Sequence, residues 1–167
     1  VKIGSPVFME KLGQGFGLVE YSTAIPAGVG GTLRVKACND FGYVSLDNKR
    51  VGILDRRHRG IHVTVPKSDK PQALSILVEA MGRVNFGHSM DDRKGLQGPV
   101  TVGGTELTGW DAALFPLGEG GAGSLGGRMT WLGTLTVPAT QGTPADTFLD
   151  MRGWTKGIVW VNGHCLG

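Results

Sequence analysis

The chain has 167 residues at 17.6 kDa, a formal net charge of +3 and a sequence pI of about 9.0. That length holds one full hydrophobic core and part of another, and 29 glycines and 8 prolines beside 40% hydrophobic residues favour an all-β sandwich or barrel full of tight turns. No apolar run approaches the roughly 20 residues that cross a bilayer as a helix, and so weak a positive field does not argue for nucleic acid.

Residues 1–15 are broken by Gly4, Pro6, Gly13 and Gly15 around Met9, Glu10 and Leu12, and read as a lead-in loop. The first strand follows over residues 16–25, where Leu18, Glu20, Ser22 and Ala24 alternate with Val19, Tyr21, Thr23 and Ile25. A glycine-rich turn at 27–31 leads into a strand over 32–37, with Leu33, Val35 and Ala37 on one face. After Asn39-Asp40 come a strand over 43–46 and its hairpin partner over 51–54. Residues 61–65 alternate cleanly and stop at Pro66, and residues 73–79 form the most apolar strand.

Residues 82–98 read as a long polar loop of the kind that on β scaffolds serves function or an interface. Gly103-Gly104 joins strands at 100–102 and 105–107 in a hairpin, and residues 107–117, with Trp110, Phe115 and Pro116, make an apolar tail suited to packing between modules. Residues 118–127 are nearly all Gly, Ala, Ser, Leu and Glu and read as a linker. No helix is expected. Short strands with turn-formers about every 8–12 residues predict a sandwich over 16–117.

The last fifteen residues repeat an earlier pattern. Ile158 to Val161 are β-branched or aromatic, and Asn162-Gly163 suits a type I′ turn. Residues 42–52 align with 157–167 without gaps at an offset of 115, so that Leu46 meets Val161, Asp47-Asn48 meets the Asn162-Gly163 turn and Val51 meets Leu166. The pattern predicts one complete module and an incomplete second sandwich over 128–167. Open edges on such a partial module favour self-association.

Few residues carry the spacing of known chemistry. Cys38 and Cys165 do not fall at equivalent positions, so a framework disulfide is not expected, and His58, His62, His88 and His164 show no metal-ligand spacing with them. Lys49-Arg50 and Arg56-Arg57-His58-Arg59 lack interleaved aromatics and read as solvated turns. Trp110, Trp131, Trp154 and Trp160 read as core. The glycine run at 118–127 lacks the Gly-Lys-Ser/Thr ending of a phosphate loop.

Several separated stretches together resemble the family 35 β-galactosidases. Residues 6–17 (Pro-Val-Phe-Met-Glu-Lys-Leu-Gly-Gln-Gly-Phe-Gly) resemble the segment leading into that family's first small β domain. Residues 77–87 (Leu-Val-Glu-Ala-Met-Gly-Arg-Val-Asn-Phe-Gly), with Asp92-Arg93-Lys94-Gly95-Leu96, are similar to that domain's most specific motif. Residues 146–150 and 153–167 resemble the second β domain. The resemblance implies two galactose-binding-like jelly rolls that follow a catalytic (β/α)8 barrel, with secreted, periplasmic or lysosomal residence. In that family the barrel supplies two glutamates, because the leaving oxygen needs a proton while the anomeric carbon needs a nucleophile.

This chain shows no eight-fold βα alternation, and its Glu10, Glu20, Glu79, Glu106 and Glu119 are scattered, so no catalytic residue and no galactoside hydrolysis is expected of it alone. No cofactor or metal is expected either. The resemblance implies that the loop carrying Arg83, Asn85 and Phe86 leans on the barrel, with Phe86 near the galactose pocket. Phenylalanine stands where the family usually has tyrosine, which leaves stacking or wall-forming as its role. Two readings of Arg83 stand: it lines a sugar surface with Asn85, or it pairs with Asp91 or Asp92 and fixes its own loop. Three functions follow: a non-catalytic companion to a β-galactosidase barrel, a free-standing carbohydrate-binding module for galactosides, or a remnant of an active enzyme.

Overall fold

A computed structural model of the chain describes residues 1–58, 62–116, 133–136, 146, 148–154 and 158–166. It divides into two compact units, Val1–Leu117 and Gly118–Gly167.

The first unit is a β-sandwich of two antiparallel sheets. Its strands are β1 (Lys2–Ile3), β2 (Leu18–Ile25), β3 (Gly31–Asn39), β4 (Phe41–Leu46), β5 (Lys49–Asp55), β6 (Val63–Val65), β7 (Gln72–Glu79), β8 (Gly95–Val102), β9 (Thr105–Glu106) and β10 (Trp110–Phe115). Six of them form one sheet in the order β1-β10-β2-β7-β4-β5, and the other four form the second in the order β6-β3-β8-β9. The period-2 patterns drive this arrangement. Val19, Tyr21 and Ile25 of β2, Leu74, Ile76 and Val78 of β7, and Val44 and Leu46 of β4 meet Leu33, Val63, Val65, Leu96, Val100 and Val102 of the second sheet in one buried cluster. Each such side chain contributes about 1.5–3 kcal/mol of transfer free energy. Trp110 is also in this core, as expected, its indole N–H donating to the Leu107 carbonyl at 2.9 Å.

Three readings of the sequence change. Residues 1–15 are more than a loop: Lys2–Ile3 adds an edge strand to β10, and Met9–Leu12 makes a 3-10 turn that drives Met9, with no exposure, into the core. The apolar stretch after residue 107 does not wait for a second module. It supplies β10, which lies between β1 and β2. The polar loop ends earlier than residue 98, because β8 begins at Gly95. Gly98 and Pro99 hid that strand by breaking its apolar alternation. They fit because they form a bulge in β8, two residues opposite the single Lys36 of β3 between the Val35–Val100 and Ala37–Gln97 pairs, where the missing proline N–H leaves no ladder bond unmade.

In the second unit, β11 (Trp160–Val161) and β12 (His164–Cys165) form the hairpin that the Asn-Gly signal predicts, with Asn162 and Gly163 both at positive φ. Its register, Val161 to His164 and Trp160 to Cys165, matches Leu46 to Lys49 and Ser45 to Arg50 around Asp47-Asn48, also both at positive φ. Trp154, outside any strand, and Trp160, on the two-residue β11, are not core: they are 53% and 39% exposed. Trp131, the predicted linker at 118–127, and Gly157 and Gly167 of the repeat lie outside the described residues.

Candidate functional site

Antiparallel register gathers one set of chain reversals at one end of the sandwich. Leu18 and Phe41, the first residues of β2 and β4, both face Glu79, the last residue of β7. Phe41 faces Asp55 at the end of β5, Leu18 faces Phe115 at the end of β10, and Asn39 at the end of β3 faces Gly95 at the start of β8. The loop over 80–94 therefore leaves one sheet and enters the other here, beside the segments at 13–17, 39–40 and 55–58.

Charges hold this end together. Lys94 is 2% exposed, and its ammonium donates to both oxygens of Asp40 at 2.9 Å and to Asp92 at 3.3 Å. A buried ammonium is stable only when fully coordinated. Asp40, 6% exposed, also accepts from Arg56 at 2.6 Å and from the Met81 N–H at 2.8 Å, and Arg56 reaches across to Asp92. Asn39 donates to Asp92 at 3.1 Å and to the Arg93 carbonyl at 2.7 Å. On the other flank Glu10 accepts from the Lys94 N–H at 2.9 Å and from Arg83, whose second nitrogen donates to the Gly15 carbonyl. The chain beside Glu10 is fixed too, because the Met9 N–H donates to the Lys94 carbonyl at 2.8 Å.

Burial pushes the Asp40 carboxyl up, but the bonds from Arg56, Lys94 and Met81 outweigh it and hold the group below the usual carboxylate range. Glu10 behaves alike: burial raises it, and the Lys94 and Glu10 amides with Arg83 bring it below its ordinary value. Neither carries a proton near neutral pH, so neither is poised as a general acid. Arg56 rises above its ordinary value through its bonds to Asp40 and Asp92. The arrangement fixes backbone rather than moving protons.

Arg83, Asn85 and Phe86 are thus separated in role. Arg83 turns to the base of the loop and pairs with Glu10, neither with Asp91 nor with Asp92, because Asp92 is taken by Arg56 and Lys94. Asn85 is exposed, and Phe86 is 88% exposed. No hydrogen bond or ion pair among the described residues joins the three to one another. Phe16, Met81 and Met90, all more than half exposed, add apolar surface at the same end. Arg56 corrects the reading of the basic cluster as a solvated turn, whereas Arg57 pairs with Asp55 at the surface. Sequence reasoning passed over Asp40, Lys94 and Glu10. Their signal was faint: Asp40 follows a strand pattern as turn residues do, and partners so far apart in sequence are brought together only by the fold.

Cys38 is buried and Cys165 exposed, both as free thiols. Among the described residues no group of three or more His, Cys, Asp or Glu is placed to hold a metal ion, and no helix is long and apolar enough to cross a membrane.

An all-β domain, as the two sheets of the first unit define it, is also the class that the matching family model describes. Residues 6–118 match the first all-β domain of β-galactosidase and residues 129–167 match the β-galactosidase galactose-binding domain, so the chain belongs to the β-galactosidase family. Among curated relatives, it is 36% identical to a β-galactosidase of Xanthomonas manihotis over all of this chain and 28% of that protein. It is 34% identical to the β-galactosidase of Bos taurus, covering all of this chain and 29% of that protein. It is also 34% identical to β-galactosidase-1-like protein 3 of Rattus norvegicus, again over all of this chain and 28% of the relative. The chain spans less than a third of the length of these relatives.

Proposed function

We propose that the chain is a non-catalytic β-sandwich region of a β-galactosidase, which buttresses the catalytic (β/α)8 barrel and offers the loop with Arg83, Asn85 and Phe86 to the edge of the galactose site. In this reading the sandwich ends near residue 117, a linker runs over 118–127, and residues 128–167 begin a second sandwich. The observation that carries it is Phe86, 88% exposed on a loop whose two ends are fixed by buried charges. A large aromatic held out on a braced loop favours a partner surface over self-packing. The exposed Phe148, Leu149, Trp154 and Leu166 of the second unit favour association with another chain, which light scattering tests by a mass above the monomer.

The test is complementation. The 167-residue chain is added to a β-galactosidase barrel expressed without its own all-β region, and hydrolysis of a chromogenic galactoside is followed. Restored hydrolysis, with Phe86→Ala raising KM several-fold, supports the reading; full activity of the barrel alone, or hydrolysis by the 167-residue chain alone, overturns it. The second reading, a galactoside-binding module, draws on the galactose-binding description of the family matched by residues 129–167. Titration calorimetry with galactose separates the two: saturable binding by the chain alone favours the module, and none favours the buttress.

A further inference from the structure

Two carboxylates do the same job from opposite flanks of the 80–94 loop. Asp40 takes the Met81 N–H where the loop leaves β7 and the Lys94 ammonium where it enters β8. Glu10 takes Arg83 near the first end and the Lys94 N–H at the second. Each carboxylate thus bridges the two ends, and each comes from a segment outside the loop, Asp40 from the β3–β4 reversal and Glu10 from the 3-10 turn. Strand pairing alone would not do this, because β7 and β8 lie in different sheets and share no ladder. Other bonds hold one end at a time, such as Asn39 to Asp92 and the Arg93 carbonyl, Met9 N–H to the Lys94 carbonyl and Arg83 to the Gly15 carbonyl, whereas Asp40 and Glu10 each take a group from both ends.

We infer that Asp40 and Glu10 are positioning residues that preorganise the Arg83–Phe86 loop. This rests on the proposed function, since it names the groups that hold the surface offered to the barrel. The physical reason is that ordering a loop on contact would consume much of the binding free energy, whereas a loop already fixed loses little. Glu10 suits a test because its side chain lies at the rim: one oxygen is fully used, and the other is buried without a partner among the described residues. Changing it leaves the Lys94–Asp40 pair and the core untouched.

The experiment is amide hydrogen exchange on the full 167-residue chain with Glu10→Ala and Glu10→Gln. Glu10→Ala removes both bridging bonds and is expected to speed exchange at residues 82–91 about tenfold, with the β7 amides unchanged. Glu10→Gln keeps an oxygen for Arg83 and the Lys94 N–H and is expected to restore slow exchange. Equal loop exchange in Glu10→Ala and wild type overturns the inference. So does β7 acceleration in step with the loop, which marks general loosening, and so does a Glu10→Gln variant as fast as Glu10→Ala. If Glu10→Ala is too unstable to study, Arg83→Met supplies the readout: it removes the near-end bonds to Glu10 and the Gly15 carbonyl and leaves the far-end Lys94 N–H bond, and unchanged loop exchange there also overturns the inference. No barrel is present in this experiment, so its failure leaves the complementation result standing, and failed complementation leaves the clamps standing.

Discussion

Replacing Lys94 by methionine tests whether the charge network holds the sandwich end together. Methionine keeps most of the stem and its packing, so the change reads the ammonium. The wild-type ammonium makes bonds of 2.9, 2.9 and 3.3 Å to Asp40 and Asp92. Losing it leaves Asp40, 6% exposed, with only Arg56 and the Met81 N–H. Breaking a buried pair costs about 3–5 kcal/mol, and the partners that Asp40 retains put the expected loss near the lower figure, about 3 kcal/mol. A domain of this size loses about 4 °C of Tm per kcal/mol, so Tm should fall by about 12 °C. Thermal unfolding followed by far-ultraviolet circular dichroism measures it, with the Asp40→Asn and Asp40→Asn/Lys94→Met variants completing a cycle. Coupling of at least ~1 kcal/mol is expected, since the double change removes both charges together. A Lys94→Met protein within ~0.5 kcal/mol of wild type, the range of ordinary surface changes, would refute the reasoning.

Neighbouring arginines should part company in urea titrations: Arg56→Ala, which strips two carboxylates, is expected to cost about 2 kcal/mol, while Arg57→Ala, at a solvent-screened surface pair, should leave the unfolding midpoint close to that of wild type. Gly95→Ala should destabilise by about 3 kcal/mol or more, because Gly95 has φ +99° and an added Cβ would lie 2.6 Å from the Tyr21 hydroxyl and 2.9 Å from the Met9 nitrogen. Asp40 and Glu10 are held below their ordinary values, so their contribution is complete above the unfolded carboxylate range and is lost as pH falls below about 4; midpoints measured from pH 6 to 2 should drop through that window. Burial pushes the Cys38 thiol up from 9.0 to about 12 and the Tyr21 phenol up from 10.0 to about 12, so stability should also decline as pH rises from 9 towards 12.

The sheets were legible because alternation is local. Residues 18–25 and 72–79 announce their buried faces within eight residues, and the Gly103-Gly104 and Asn162-Gly163 turns carry their own backbone requirement. Membership of the family was legible through motifs at 6–17 and 77–96. Only the end of the strand at 95–102 was read from the sequence, because Gly98 and Pro99 interrupt its pattern, and only the bulge they form opposite Lys36 of β3 explains their presence. The charge network was missed for a different reason. Asp40 and Lys94 lie 54 residues apart, and Glu10 and Arg83 lie 73 apart, so no periodicity links them. The partner of Arg83 depends on which carboxylates other cations have already claimed.

The two-ended bracing of residues 80–94 has a consequence for cutting and splicing the gene. A protease nick at the loop tip would sever one covalent link while both stumps stay anchored by Asp40 and Glu10, so the nicked sandwich should survive as a non-covalent complex. The tip is accordingly the place where insertions or relocated termini should be borne with least disturbance to the two sheets.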